Sequence, residues 1–225
     1  MHYYKELPEG YINKYVIDAK RKKDSLLLSL FSILLFGWVA VILLLVRKIS
    51  FIDVIRKSIE QQRFSTIMLL IAFILFLFIY FILHELIHGL FYKLFTHQKL
   101  TFGFTLTVAF CGVPEIYCDK LVMLVTILAP FTVFFAIFLP LSLILPPDSL
   151  ACLLSIVFLG VHVGGCVGDL FGAFILLRSP KDVLVNDTGA KQTFYVKEEI
   201  RQEESYEESS EESQPQQPEE DSKTE

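Results

Sequence analysis

Residues 64–93 read FSTIMLLIAFILFLFIYFILHELIHGLFYK, an apolar run that ends in two histidines and a glutamate. The twenty uncharged residues 64–83 are long enough to cross the hydrocarbon core of a bilayer as a helix. An acidic side chain at the centre of such a helix costs roughly 2.5–3.5 kcal/mol on insertion scales. A glutamate and two histidines within five positions of this run therefore indicate a functional site.

Three further apolar runs occupy residues 26–46, 121–147 and 149–177, and the last contains a single acid, Asp169. The chain is 53% hydrophobic and has 21 phenylalanines. These features predict a mainly α, polytopic membrane protein with about four transmembrane helices. The first run begins only after residue 24 and has no small-residue cleavage site, so it is predicted to be a retained anchor.

Residues 100–110 alternate apolar side chains with Thr, Gly and Ala, which predicts a short β segment between the second and third spans. A turn at 112–114 is predicted to follow it. Beyond the fourth span, residues 179–197 favour a small hairpin that turns at 186–189.

Residues His84 to His88 form the pattern His-Glu-x-x-His. Histidines at i and i+4 lie on one face of a helix and can share one tetrahedral zinc ion. Glu85 then lies beside the zinc-bound water, whose proton it can accept and pass to a leaving amine. The alternative interpretation is a coincidence at a helix end, where these side chains only reach towards water.

A zinc site of this kind needs a third protein ligand, and the candidates are Asp169, His162, Glu115 and Asp119. His84 and Asp169 each lie twenty residues into an apolar run and nine before a basic residue. Their helices run parallel, so both lie at one depth, on the order of 13 Å from the basic boundary. This match favours Asp169. His162, seven residues earlier, could stabilise an oxyanion or orient a substrate, or be a buried histidine bonded to a carbonyl.

The four cysteines show no CxxC spacing and are interpreted as ordinary thiols of the apolar phase, not as a zinc framework or a disulfide scaffold. No basic stripe with interleaved aromatic residues indicates nucleic acid as a partner. Residues 198–225 contain eleven Glu and one Asp against Arg201 and Lys223, so this tail has a net charge of −10. The rest of the chain therefore has a net charge of +5, and the whole chain one of −5. The composition of residues 198–225 predicts a disordered acidic tail.

The Lys and Arg residues that flank the spans number eleven on the side of the N-terminus and five on the other. This imbalance predicts a multi-pass protein of the cell membrane with both termini in the cytoplasm. The predicted organisation is a cytoplasmic N-terminal segment (1–24), a transmembrane metalloprotease-like domain (25–178), the hairpin segment (179–197) and the acidic tail (198–225).

Four stretches together resemble one family: LPEGYINKY (7–15), HELIHGLFYKLF (84–95), LAPF (128–131) and HVGGCVGDL (162–170). They are similar to the family described as putative zincin peptidases, small bacterial membrane proteins distantly similar to site-2 proteases. The resemblance extends over residues 7–196 and implies a three-helix metalloprotease core, made here of the second to fourth spans. It implies His84, His88 and Asp169 as zinc ligands and Glu85 as the catalytic residue.

The sequence therefore predicts a membrane-embedded zinc metalloprotease that hydrolyses transmembrane or membrane-adjacent peptides, with Zn²⁺ as cofactor and the lipid bilayer and a membrane protein or peptide as partners. The alternative is a non-enzymatic membrane protein that binds metal, or a partner, through a structural His-Glu-x-x-His site.

Overall fold

The computed structural model describes residues 2–104 and 109–198. The chain is mainly helical over these residues, with five helices: α1 (Lys22–Val46), α2 (Phe51–Thr96), α3 (Lys120–Ile144), α4 (Leu150–Gly165) and α5 (Val167–Arg178). The predicted acidic tail, from residue 199 onward, lies outside the described residues.

Helices α1, α2 and α3 are each long and apolar enough to cross a membrane. Helices α4 and α5 meet at 48° and make a fourth span if the bent pair is taken as one. Large apolar side chains point outward along α1 and α2, where Leu26 is 72% exposed and Phe64 76%. These surfaces are compatible with a membrane protein.

The fourth apolar run, 149–177, is not one continuous helix, because the chain breaks at Cys166 (φ −81°, ψ 8°) between α4 and α5. Gly164, Gly165 and Gly168 lie within two residues of Cys166, and glycine is a poor helix former. The surrounding run of apolar residues hides this interruption in the sequence. Gly164 also allows α1 to come close, since a Cβ there would lie 2.7 Å from the carbonyl oxygen of Ser32.

Helix α2 begins earlier than the second apolar run. The hydroxyl of Ser50 accepts a hydrogen bond from the backbone N–H of Asp53 and caps its first turn. Gln62 has non-helical backbone angles (φ −146°, ψ 53°), so the helix is kinked between its basic first part and its apolar second part.

Seven strands lie in the described residues: β1 (Tyr3–Tyr4), β2 (Tyr11–Asp18), β3 (Thr101–Phe104), β4 (Ala109–Gly112), β5 (Tyr117–Asp119), β6 (Leu184–Asp187) and β7 (Lys191–Lys197). Five form an antiparallel sheet in the order β1-β5-β6-β7-β2. Strands β3 and β4 form a separate antiparallel pair.

The alternating segment 100–110 therefore contains parts of two strands and not one, and residues 105–108 between them lie outside the described residues. Side chains alternate with the same period of two in both strands of a hairpin, so the alternation does not show where the chain reverses direction. The five-stranded sheet includes the N-terminal strands β1 and β2, which the sequence analysis did not predict.

The five-stranded sheet covers one end of the helices. It joins the segment before α1, the segment before α3 and the segment after α5. Its buried side chains, such as Val185 and Phe194, belong to the same core as Tyr92, Met123 and Leu176 of the helices. The two ends of the described chain consequently lie on the same side of the helical layer.

Candidate metal centre

One face of α2 carries a row of buried polar side chains at intervals of four residues: Tyr80, His84, His88, Tyr92 and Thr96. This spacing places successive side chains one helical turn apart. The exposed fractions of His84 and His88 are 8% and 7%. The apolar sequence thus folds into a helix that turns its few polar groups inward.

The two histidines meet Asp169, in the first turn of α5. The Nε2 atoms of His84 and His88 are 3.3 Å apart. The Oδ2 atom of Asp169 lies 3.2 Å from Nε2 of His84 and 3.5 Å from Nε2 of His88. The structure thus brings the three predicted ligands into one small triangle, although the helix carrying Asp169 is bent.

This triangle fits zinc. A tetrahedral zinc ion with bonds of about 2.0–2.1 Å holds its ligand atoms about 3.3–3.4 Å apart. The three observed separations, from 3.2 to 3.5 Å, bracket that value. Two imidazoles and one carboxylate are also a donor set that zinc enzymes use, with a fourth position left for water or substrate.

The backbone of α3 fixes the orientation of His88. Its Nδ1–H donates to the carbonyl oxygen of Thr126 over 3.0 Å. Because a carbonyl only accepts, the proton of the neutral ring is on Nδ1, and Nε2 offers its lone pair to the triangle. The Nδ1 atom of His84, by contrast, is buried and has no hydrogen-bond partner among the described residues.

Glu85 lines a cavity of about 510 Å³ together with His84, His88 and Asp169. The side chain of Glu85 is half-buried and faces the backbone of Cys111 in β4. Helix α1 and the hairpin of β6 and β7 also contribute to the cavity wall. The acid of the His-Glu-x-x-His pattern therefore lies beside the triangle and borders this cavity.

The other candidate ligands are not part of the triangle. Glu115 is exposed, and Asp119 caps α3 by accepting from the backbone N–H of Val122. His162 is fully buried (0% exposed); its Nδ1 accepts from the hydroxyl of Tyr80 over 2.8 Å, and its Nε2 lies 3.1 Å from the carbonyl oxygen of Phe131. Of the two interpretations of His162, the contact with a carbonyl is the one seen in the structure.

Sequence reasoning did not identify three polar groups near the centre: Tyr80, Cys166 and Asp187. Tyr80 and Asp187 line the cavity. The Sγ atom of Cys166 lies 3.7 Å from the Nδ1 atom of His162. The signal for Tyr80 was its position one turn before His84 on α2. Asp187 has no comparable signal, because it reaches the cavity through the fold of the sheet.

Residues 77–184 match the model of the family described as "Putative zincin peptidase". The matched segment includes α3, α4 and α5, the second half of α2 from residue 77, and every residue of the triangle. The match indicates a metallopeptidase and implies zinc as its metal. Neither a curated protein nor a solved structure gave a significant match to the chain.

Proposed function

We propose that this chain is a membrane-embedded zinc metallopeptidase that cleaves transmembrane or membrane-adjacent peptides. The observation that carries the proposal is the triangle of His84, His88 and Asp169, whose dimensions fit zinc, beside Glu85 in a cavity. Zinc held there would supply Lewis acidity, which polarises a scissile carbonyl and lowers the pKa of an attacking water towards 7.

Glu85 is the residue suited to move the proton. Its carboxylate is adjacent in sequence to the ligand His84 and borders the cavity, so it can accept the proton of the attacking water. The protonated Glu85 then gives that proton to the nitrogen of the leaving amine. His88 is held in place by Thr126 and takes no part in this transfer.

The location in the membrane is supported by the outward apolar surfaces of α1 and α2 and by the three helices of membrane-spanning length. The two ends of the described chain share one side of the helical layer, and the larger number of Lys and Arg residues flanks that same side. We place this side in the cytoplasm, following the tendency of cytoplasmic flanks to be basic.

The first experiment measures zinc in the purified full-length protein. We expect about one equivalent in the wild type and in Glu85→Gln, since Glu85 is not a ligand. His84→Ala, His88→Ala and Asp169→Asn should each weaken zinc binding more than about 100-fold. His97→Asn is the matched control, because His97 is exposed at the C-cap of α2 with φ 55°, which Asn tolerates.

The second experiment compares the membrane proteomes of wild-type and Glu85→Gln cells. Uncleaved membrane proteins should accumulate only in the variant, because it retains zinc and lacks the proton acceptor. A zinc-loaded wild type whose proteome equals that of Glu85→Gln would contradict the peptidase and favour the non-enzymatic metal-binding protein. A wild type that binds no zinc would contradict both.

A further inference from the structure

A second set of metal-binding groups lies next to the triangle and shares one residue with it. His84, His162 and Cys166 each offer a ligand atom within 4.8 Å of the other two. All three are buried, with exposed fractions of 8%, 0% and 0%. His162 and Cys166 are four residues apart, at the end of α4 and at the break that follows it.

His84 has two ring nitrogens, and they belong to different surroundings. Its Nε2 atom faces His88 and Asp169. Its Nδ1 atom is buried and has no hydrogen-bond partner among the described residues. We therefore assign Nδ1 of His84 to the second set, together with Nδ1 of His162 and Sγ of Cys166.

The second set suits a soft, monovalent cation. Sγ of Cys166 and Nδ1 of His162 are 3.7 Å apart, and a trigonal ion with bonds of about 2.0 Å to nitrogen and 2.3 Å to sulfur separates such atoms by about 3.7 Å. Thiolate favours Cu⁺ over harder ions. One thiolate and two neutral imidazoles around Cu⁺ have no net charge, which suits a buried position.

The two sets compete for His84, because a neutral imidazole has only one lone pair. We propose that Cu⁺ binds His84, His162 and Cys166 and thereby excludes zinc from His84, His88 and Asp169. On binding, the thiol of Cys166 loses its proton to solvent and the ring proton of His84 resides on Nε2. Nδ1 of His162 then gives its lone pair to the metal and no longer accepts from Tyr80.

The test is an anaerobic titration of the zinc-loaded, full-length protein with Cu⁺, against a chelator that reports free Cu⁺. The exclusion of zinc rests on the proposed zinc site, so the zinc content is measured before any copper is added. We expect one zinc ion to be released for each Cu⁺ bound. Cys166→Ser should bind Cu⁺ more than about 100-fold more weakly and keep its zinc.

Cys152→Ser is the matched control, since Cys152 is also fully buried but its thiol bonds to the carbonyl oxygen of Ser142 in the helical core. It should release zinc as the wild type does. Asp169→Asn, which removes a ligand of the first set only, should still bind Cu⁺.

Two results would overturn the inference. Cu⁺ bound without release of zinc would contradict the competition, because either His84 would bridge both ions as an imidazolate, having lost its single ring proton, or Cu⁺ would bind other groups. Zinc release from Cys166→Ser equal to that from the wild type would place the competing Cu⁺ elsewhere. Asp169→Asn tests the second set alone, since it removes a ligand of the zinc site only. If this variant binds Cu⁺ but the wild type holds no zinc, the proposed zinc site is wrong and the Cu⁺ site is not. If this variant does not bind Cu⁺, the Cu⁺ site itself is wrong.

Discussion

At the scale of single residues, the centre depends on a few polar groups placed on an apolar background. Asp187 is one of them, at the end of β6 and 3% exposed. Its carboxylate accepts from the hydroxyl of Tyr92, from the backbone N–H of Gly189 and from the side-chain amide of Gln192. These bonds tie α2 to the hairpin of β6 and β7, which forms part of the cavity wall.

Because of Asp187, the folded protein should be more stable at pH 5 than at pH 7. Burial raises the pKa of Asp187 from 3.8 to about 6, although its hydrogen bonds act in the opposite direction. Between these two values the folded protein holds a proton that the unfolded chain has released, so the free energy of unfolding falls as the pH rises through that window. Lowering the pH from 7 to 5 crosses about one pH unit of this window and should therefore increase this residue's contribution by about 1 kcal/mol.

Thermal unfolding in detergent at pH 5, 6 and 7 measures this effect. Asp187→Asn should be less dependent on pH than the wild type, since the amide does not titrate. Asp148→Asn is the control: Lys57 lowers the pKa of this exposed carboxyl, so its titration lies below the window. Equal pH dependence of Asp187→Asn and the wild type would show that Asp187 does not titrate between pH 5 and 7.

At the scale of elements, the break between α4 and α5 positions α1 as well as Asp169. The hydroxyl of Ser32 in α1 donates to the carbonyl oxygen of Gly164 over 2.7 Å. Ser32 and Gly164 both line the cavity. The close approach of α1 at this point thus closes one side of the space beside Asp169.

Gly164→Ala and Gly168→Ala should differ strongly in stability. A Cβ at residue 164 would lie 2.7 Å from the carbonyl oxygen of Ser32, so α1 would have to move. A Cβ at residue 168 would meet nothing within 4 Å. We expect Gly164→Ala to lower the free energy of unfolding by about 1–3 kcal/mol, through overpacking, and Gly168→Ala to leave it unchanged or raise it.

Urea or thermal unfolding of the two variants in the same detergent, with their zinc content, provides the measurement. Both should retain zinc, since neither residue is a proposed ligand. If Gly164→Ala is as stable as Gly168→Ala, α1 does not contact the bend in the way the structure describes.

The elements also show which features the sequence could predict. The four apolar runs and the i, i+4 spacing of His84 and His88 depend on local order in the chain, and that order predicted the helices and the shared face of the two histidines. The matching depth predicted that Asp169 would be near them. The glycines around Cys166 did not predict the bend, because glycine weakens a helix without requiring it to break. Alternation did not predict the reversal between β3 and β4, because both strands of a hairpin have the same period. The position of Asp187 depends on contacts between distant segments, such as that of Gly112 with Gly189, which no local pattern records.

At the scale of the whole molecule, the sheet determines which chain ends lie together. Strand β2 pairs with β7 over Tyr11–Asp18, and β1 pairs with β5. The exposed residue Lys191 is in this sheet, whereas the exposed Glu60 is near the kink of α2, at the other end of the helices. If the helices span the membrane, these two positions face opposite compartments.

Cysteine labelling in intact cells can test this arrangement and the proposed orientation together. Cys111, Cys118, Cys152 and Cys166 are all free and buried, so the wild type should react only weakly with a membrane-impermeant maleimide. We expect Glu60→Cys to be labelled nearly completely in intact cells, and Lys191→Cys to be labelled only after the membrane is permeabilised. The reverse pattern would keep the arrangement but invert the orientation, since basic flanks favour the cytoplasm without fixing it. Labelling of both positions in intact cells would contradict the placement of the sheet and the kink of α2 on opposite sides of a membrane.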